Sequence, residues 1–221
     1  TFTGTTSFLT VRLTGTSVTL AAGSLFDVYN TAAGSFTINT GATFFNGTGA
    51  LQTKTFTNNG TYNRGTGTLR LLNNMNIPTT GIADGFYNLE IGNAGGGYTI
   101  TVTGNLLVYG ALIINSGNTL NNTTLNITMQ GVTNDGADWT NNGSYSATGG
   151  TVFFYSGSAS AHQISGTTNF RAVTFGNGAA AGAATLANSA SVAINGACTV
   201  AASYTLNGSP GAGQYATLTF N

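Results

Sequence analysis

Residues 56–93 and 139–177 are two copies of one unit. Phe56-Thr-Asn-Asn-Gly-Thr-Tyr62 is answered by Trp139-Thr-Asn-Asn-Gly-Ser-Tyr145 at an offset of 83 (139 − 56). Gly67-Thr-Leu69 meets Gly150-Thr-Val152 at that same offset, and Leu89-Glu-Ile91-Gly-Asn93 meets Val173-Thr-Phe175-Gly-Asn177 at 84 (173 − 89). An ordinary globular core imposes no long period, so a repeat this well kept points to stacked supersecondary units. What recurs is aromatic and aliphatic residues at alternate positions, with Asn-Gly turns between them. No acid, base or nucleophile recurs. The chain repeats an architecture.

Short alternating runs fill the rest of the sequence: Phe8-Leu-Thr-Val-Arg-Leu13, Val18-Thr-Leu20, Phe36-Thr-Ile38, Thr68-Leu-Arg-Leu71, Tyr98-Thr-Ile-Thr-Val102, Leu125-Asn-Ile127, Thr151-Val-Phe153, Ser191-Val-Ala-Ile194 and Tyr215-Ala-Thr-Leu-Thr-Phe220. β-branched and aromatic residues at period two, with Thr on the opposite face, read as half-buried strands. Asn-Gly at 46–47, 59–60, 142–143, 195–196 and 207–208 supplies turns, and no stretch shows the helical spacing of apolar residues with a cap. Some twenty short runs are too many for a hairpin-based sandwich of seven to nine strands. A β-solenoid fits, with Asn at its turns taking the left-handed conformation or hydrogen-bonding along the stack. The 83-residue offset then holds about four coils of roughly 21 residues, and the chain about ten, so Phe56 and Trp139, Tyr62 and Tyr145, and Leu89 and Val173 should occupy equivalent coil positions about four coils apart. No linker divides it: residues 1–221 read as a single domain with an internal repeat, 56–138 and 139–221. The loosest segments, Gly178-Ala-Ala-Ala-Gly-Ala-Ala184 and Ala94-Gly-Gly-Gly97, read as turns between coils.

Charge narrows the function. Asp, Glu, Lys and Arg make up 5% of the chain, and the formal net charge is zero, whereas an ordinary soluble domain carries roughly 25% charged residues. A surface of Thr, Ser, Asn and Gly without net charge is suited to lie against copies of itself. Lys54, Arg12, Arg64, Arg70 and Arg171 are scattered singly, so no basic stripe exists for nucleic acid or anionic membrane. Apolar runs such as Leu106-Leu-Val-Tyr109 are too short for membrane insertion as a helix. Cys198 is the sole cysteine, which excludes an internal disulfide, and it reads as a buried small hydrophobe. Thr1 in place of Met, with no apolar leader, reads as a processed N-terminus.

The second copy also carries a resemblance. Asp138-Trp-Thr-Asn-Asn-Gly-Ser-Tyr-Ser-Ala-Thr-Gly-Gly-Thr-Val-Phe-Phe154, then His162-Gln-Ile-Ser-Gly166 and Asn169-Phe170…Val173-Thr-Phe175, resembles the β-helix repeat units of large bacterial cell-surface and secreted proteins. In those, a W-x-N-N-G turn, a G-T-V-x-F strand, a Q-x-I-x-G turn and an F-x-x-L-x-I strand follow one another. The first copy departs, with Ile77-Pro78-Thr-Thr-Gly81 where the Gln-Ile-Ser-Gly turn stands, and the first 50 residues share only the rhythm. The resemblance implies an all-β, right-handed parallel β-helix exported to the cell exterior. It is specific for architecture and says little about function.

Candidate chemistry is sparse. Asp135 and Asp138 flank Ala137 near Trp139, but a Ca²⁺ site needs six to eight oxygens; they read as turn residues, and no metal or cofactor is expected. Glycoside hydrolysis needs two carboxylates across the scissile bond, and with Asp27, Asp84 and Glu90 scattered elsewhere the chain reads as no enzyme. His162, the lone histidine, reads as a turn residue before Gln163. Lys54, the only lysine, has no acid that can be placed beside it for an isopeptide crosslink.

The expected function is therefore structural: the subunit of an extracellular filament, self-assembling head-to-tail. The chain alternates to its last residues, begins as a strand and shows no cap at either end, so its strand edges would template further pairing. The candidate subunit-interface residues are Thr1, Phe2, Thr3, Tyr215, Thr217, Leu218, Thr219, Phe220 and Asn221, and the partner is a copy of the chain. The alternative is an adhesin or carbohydrate-binding stalk segment of a larger cell-surface protein, binding surface glycans through aromatics such as Tyr62, Tyr145 or Tyr155.

Overall fold

Pairing in the computed structural model is parallel at every strand contact. The structure describes residues 1–29, 34–77, 82, 85–131, 138–156, 161–177, 181–208 and 216–221. Among these residues there is no helix, and the strands stack as a β-solenoid with three faces.

Face one carries β1 (Thr5–Ser7), β4 (Leu25–Val28), β7 (Ala50–Thr53), β10 (Thr68–Leu71), β12 (Asn88–Ile91), β15 (Ala111–Ile114), β18 (Asp138–Asn141), β21 (Ala161–Phe170), β23 (Gly182–Leu186) and β26 (Tyr204–Gly208). Face two carries β2 (Thr10–Leu13), β5 (Ser35–Ile38) and β8 (Thr55–Asn58), then β11 (Met75–Ile77), β13 (Thr99–Val102), β16 (Thr119–Asn122) and β19 (Ser144–Ala147). It ends with the second half of β21, β24 (Ser191–Ile194) and β27 (Thr217–Phe220). Face three carries β3 (Ser17–Thr19), β6 (Thr43–Phe45) and β9 (Thr61–Asn63), then a lone bridge from Phe86 to Val108. β14 (Leu106–Val108), β17 (Ile127–Gly131), β20 (Val152–Ser156), β22 (Val173–Phe175) and β25 (Cys198–Val200) complete it. The solenoid makes about 8 turns, close to the ten coils expected, with ten strands on face one, and coil length runs from 18 (68 − 50) to 27 (138 − 111) residues. At about 4.8 Å per strand the stack is roughly 45 Å long.

Alternation decides what lies inside. In parallel register every residue sits on its equivalent in the next coil, so one apolar position becomes an apolar column. Phe26, Leu51, Leu69, Leu89, Leu112, Trp139 and Ile164 form such a column on face one, each fully buried. The core changes character along the axis. Phe26, Phe36, Phe44, Phe56, Tyr62 and Phe86 pack ring to ring in the early coils. Aliphatic residues fill the middle, and Trp139, Tyr145, Phe154, Phe170 and Phe175 restore an aromatic core beyond it.

The two repeat copies build the same corner. Asn58 Oδ1 accepts from the Gly60 amide at 3.3 Å, and Asn141 Oδ1 from the Gly143 amide at 3.2 Å. Asn59 and Asn142 donate their amides to the carbonyls of Ile38 and Ile114 one coil earlier, at 2.7 and 2.9 Å. Across the corner the rings meet edge to face: Phe56–Tyr62 at 5.6 Å and Trp139–Tyr145 at 5.0 Å. Glycine is required because a Cβ at Gly60 or Gly143 would lie 2.4 Å from a backbone oxygen of the coil below. Left-handed backbone, expected of Asn, falls to glycine; among the described residues Ser189 is the sole non-glycine there. Asparagine serves instead as a hydrogen-bonding residue, as where Asn118 Nδ2 reaches the Asn93 carbonyl at 2.7 Å.

The copies do not occupy equivalent positions in their coils, contrary to the sequence expectation. Phe56 lies on face two and Trp139 on face one; Tyr62 lies on face three and Tyr145 on face two; Leu89 lies on face one and Val173 on face three. From β8 the chain passes β9, β10, β11, the Phe86 bridge and β12 to β17 before reaching β18, which is eleven face-to-face steps. With three faces per coil the offset is 3⅔ coils, one third of a turn short of four. The motif specifies a corner, and it serves both between faces two and three and between faces one and two.

Candidate functional site

The C-terminal end of the stack exposes the interior. β25, β26 and β27 each pair on one side only among the described residues. Val200 stands in register with buried Phe175, Leu206 with Ala184, Leu218 with Val192 and Phe220 with Ile194, so all four belong to inward columns. Among the described residues no further coil lies over them: Val200 is 44% exposed and Phe220 61%, while Leu206 and Leu218 are half-buried. Apolar side chains at the free edge of three parallel sheets form a surface that excludes water only when another layer covers it.

The opposite end is different. Phe2 bridges to Leu20 in parallel fashion, and its ring meets Phe8 at 6.0 Å and Phe26 at 4.9 Å. This aromatic plug partly covers the first coil, where the sequence showed no cap. Leu9 remains 62% exposed beside it, and β1, β2 and β3 each pair on one side only among the described residues. Thr1 and Thr3 are exposed, as are Thr217, Thr219 and Asn221, whose amide Nδ2 reaches Asn195 Oδ1 at 2.7 Å. The structure thus brings the expected interface residues to the two ends of the stack; Tyr215 lies outside the described residues. Val200, Leu206, Phe8 and Leu9 were missed, although the inward phase of Cys198-Thr-Val200 was readable from its alternation.

Charged groups are placed along the flank. Arg70 pairs with Glu90 and donates to Gln52 Oε1 at 3.1 Å, a ladder across β7, β10 and β12. Lys54 Nζ lies 4.6 Å from the centre of the Tyr29 ring, and Arg171 Nη1 donates to the Asn195 carbonyl at 2.9 Å. Asp138 is a strand residue, correcting its assignment to a turn, and its Oδ1 accepts from the Gln163 amide in the next coil at 3.0 Å. Asp84 and Asp135 lie outside the described residues. No group of three or more His, Cys, Asp or Glu side chains is gathered among the described residues. A shallow depression lined by Ile82, Gly85, Phe86, Asn105, Leu106 and Leu107 holds no titratable group.

His162 is likewise a strand residue rather than a turn residue. It is buried within β21, its Nε2 donating to the Tyr155 carbonyl at 3.0 Å and its ring 5.6 Å from Phe154. The Gln-Ile-Ser-Gly run continues that strand across a corner at Gly166, where φ is +77°. Gly182-Ala-Ala184, expected in a turn, opens β23, and residues 178–180 lie outside the described residues. Cys198 is half-buried, not fully buried, because it stands on the last strand of face three, and burial pushes its thiol up. Tyr62 and Tyr145, expected at the surface, are buried core residues; desolvation raises both phenol pKa values above the ordinary range.

Comparison with protein-family models, with curated proteins and with solved structures finds no match. The geometry defines the class, a parallel β-solenoid repeat protein, and no helix among the described residues is long and apolar enough to cross a membrane.

Proposed function

We propose that this chain is a structural building block of an extracellular filament, in which the strand stack of one copy is continued by the next. The observation that carries the reading is the C-terminal end, where inward columns from all three faces finish in partly exposed Val200, Leu206, Leu218 and Phe220. Parallel addition at β25, β26 and β27 would pair their free backbone edges and bury those side chains together. The plugged N-terminal end differs from it, so such a contact is head-to-tail, and a heterologous contact propagates when its rotation does not close. Few charges guard either edge, and lysines placed there are how sheet proteins prevent such addition.

The test is assembly of the purified chain and of Leu218→Lys, Phe220→Lys and a deletion of residues 217–221. Electron microscopy and sedimentation should show fibres for the parent and short soluble species for the variants. A parent that stays monomeric at high concentration would reject the filament and favour the stalk reading, in which further coils or another domain cover the same end. Variants that polymerise normally would reject the end contact as the mechanism.

A further inference from the structure

We propose that the outward row along face three, from Tyr87 to Tyr155, is a binding site for a neutral, extended glycan lying along the solenoid axis. One residue beyond the Phe86–Val108 bridge, Tyr87 and Tyr109 stand in adjacent coils, their register fixed by the Tyr109 amide on the Phe86 carbonyl at 2.9 Å and the Gly110 amide on the Tyr87 carbonyl at 2.8 Å. Gln130 follows in the next coil, beyond the paired Val108 and Met129, and Tyr155 pairs with Gln130 in the coil after that. Phe153, on the same outward side of β20, lies 5.2 Å from the Tyr155 ring. All five are half-buried. At the near end the Arg64 guanidinium reaches along the column and lies 3.7 Å from the centre of the Tyr109 ring and 5.9 Å from Tyr87.

The chemistry selects the occupant. Planar groups recurring at the coil rise of about 4.8 Å offer a row of stacking surfaces that only an extended polymer can use together. Hydrogen-bonding groups are interleaved: the Gln130 amide lies between Tyr109 and Tyr155, and Thr128 and Thr174 flank Phe153 in register. An alternation of flat apolar faces and neutral hydrogen-bonding groups matches a sugar ring, whose C–H face stacks while its rim hydroxyls bond. Among the described residues Arg64 is the only charged side chain on this column, and its guanidinium is already committed to the tyrosine rings. A single-stranded nucleic acid or an acidic polysaccharide requires a positively charged groove, which the described residues do not provide. From Tyr109 to Tyr155 is two coils, roughly 10 Å, the scale of a disaccharide repeat.

The test depletes the purified full chain with microcrystalline cellulose, chitin and insoluble mannan. Whichever polymer retains it is then titrated calorimetrically as its hexasaccharide. Phe153→Thr/Tyr155→Thr and Tyr109→Thr change only outward positions, and unchanged circular dichroism confirms the fold; Thr140→Ala on face one is the control. Removing these rings should weaken binding by roughly tenfold or more, with the control unchanged. Retention by none of the three neutral polymers, unchanged affinity in both ring variants, or retention by alginate alone overturns the proposal. Binding is read with the Phe220→Lys variant as well, so the outcome does not depend on assembly.

Discussion

Thr168 should be the acceptor that fixes the second aromatic core. It is 1% exposed and receives two donors, Trp139 Nε1 at 3.0 Å and Asn141 Nδ2 at 3.2 Å. Thr168→Val keeps shape and volume but deletes that acceptor. Asn141 Nδ2 retains the Thr167 carbonyl at 2.5 Å, so its loss is partial, whereas the fully buried Trp139 indole N–H loses its Thr168 acceptor. An orphaned buried donor costs about 1–3 kcal/mol and the second bond about 1 more, so the variant should lose ~2–4 kcal/mol. For a chain of this size that lowers the melting temperature by roughly 4–16 °C. The sharper measurement is the double-mutant cycle with Trp139→Phe, followed by circular dichroism in urea. Without an indole N–H, Thr168→Val should become cheaper by about 1–2 kcal/mol. Costs that add to within about 0.5 kcal/mol would refute the reasoning.

Three further outcomes follow. Gly143→Ala drives a methyl against the Asn118 and Asn115 carbonyl oxygens at 2.4 and 2.6 Å, whereas Gly95, with φ of +74°, faces open space. In urea titrations Gly143→Ala should cost about 2–4 kcal/mol and Gly95→Ala about 1; equal costs would contradict the corner geometry. Stability should be level through neutral pH and fall above the ordinary phenol value of 10.0, because burial raises the folded pKa of Tyr62, Tyr145 and Tyr204 and the unfolded chain ionises first. Tyr145→Phe should flatten that fall in an alkaline circular dichroism titration; an unchanged slope counts against it. Assembly through main-chain bonds and apolar contact should be nearly insensitive to salt, since exposed ion pairs contribute little, and light scattering that collapses at moderate salt would point to another interface.

Period-two alternation made the strands and their buried faces legible, and the single N-N-G corner was readable twice. Which face each strand joins was not, because the motif encodes a change of direction and carries no memory of the corner that preceded it. Tyr145, flanked by Ser144 and Ser146, is marked as inward by its polar neighbours, and naming it as a surface ligand set that signal aside. Phe153-Phe-Tyr155 carries no such signal. Only pairing of Phe154 with Met129 and Phe175 turns its neighbours outward. Likewise Tyr87 and Tyr109 are 22 residues apart (109 − 87) in runs of unlike sequence, and they become neighbours through the coil register alone.

The fractional phase of the repeat has a geometric consequence for how such a chain can lengthen. Inserting one more 83-residue unit would advance the screw by 3⅔ coils and turn everything downstream by a third of a revolution about the axis. A surface feature carried by the unit, such as the Phe153–Tyr155 pair, would then appear on each flank in succession. Three units, eleven whole coils, would return it to its starting side. A rod grown this way displays its surface chemistry in all directions around its length, while a unit of whole coils would confine it to one line.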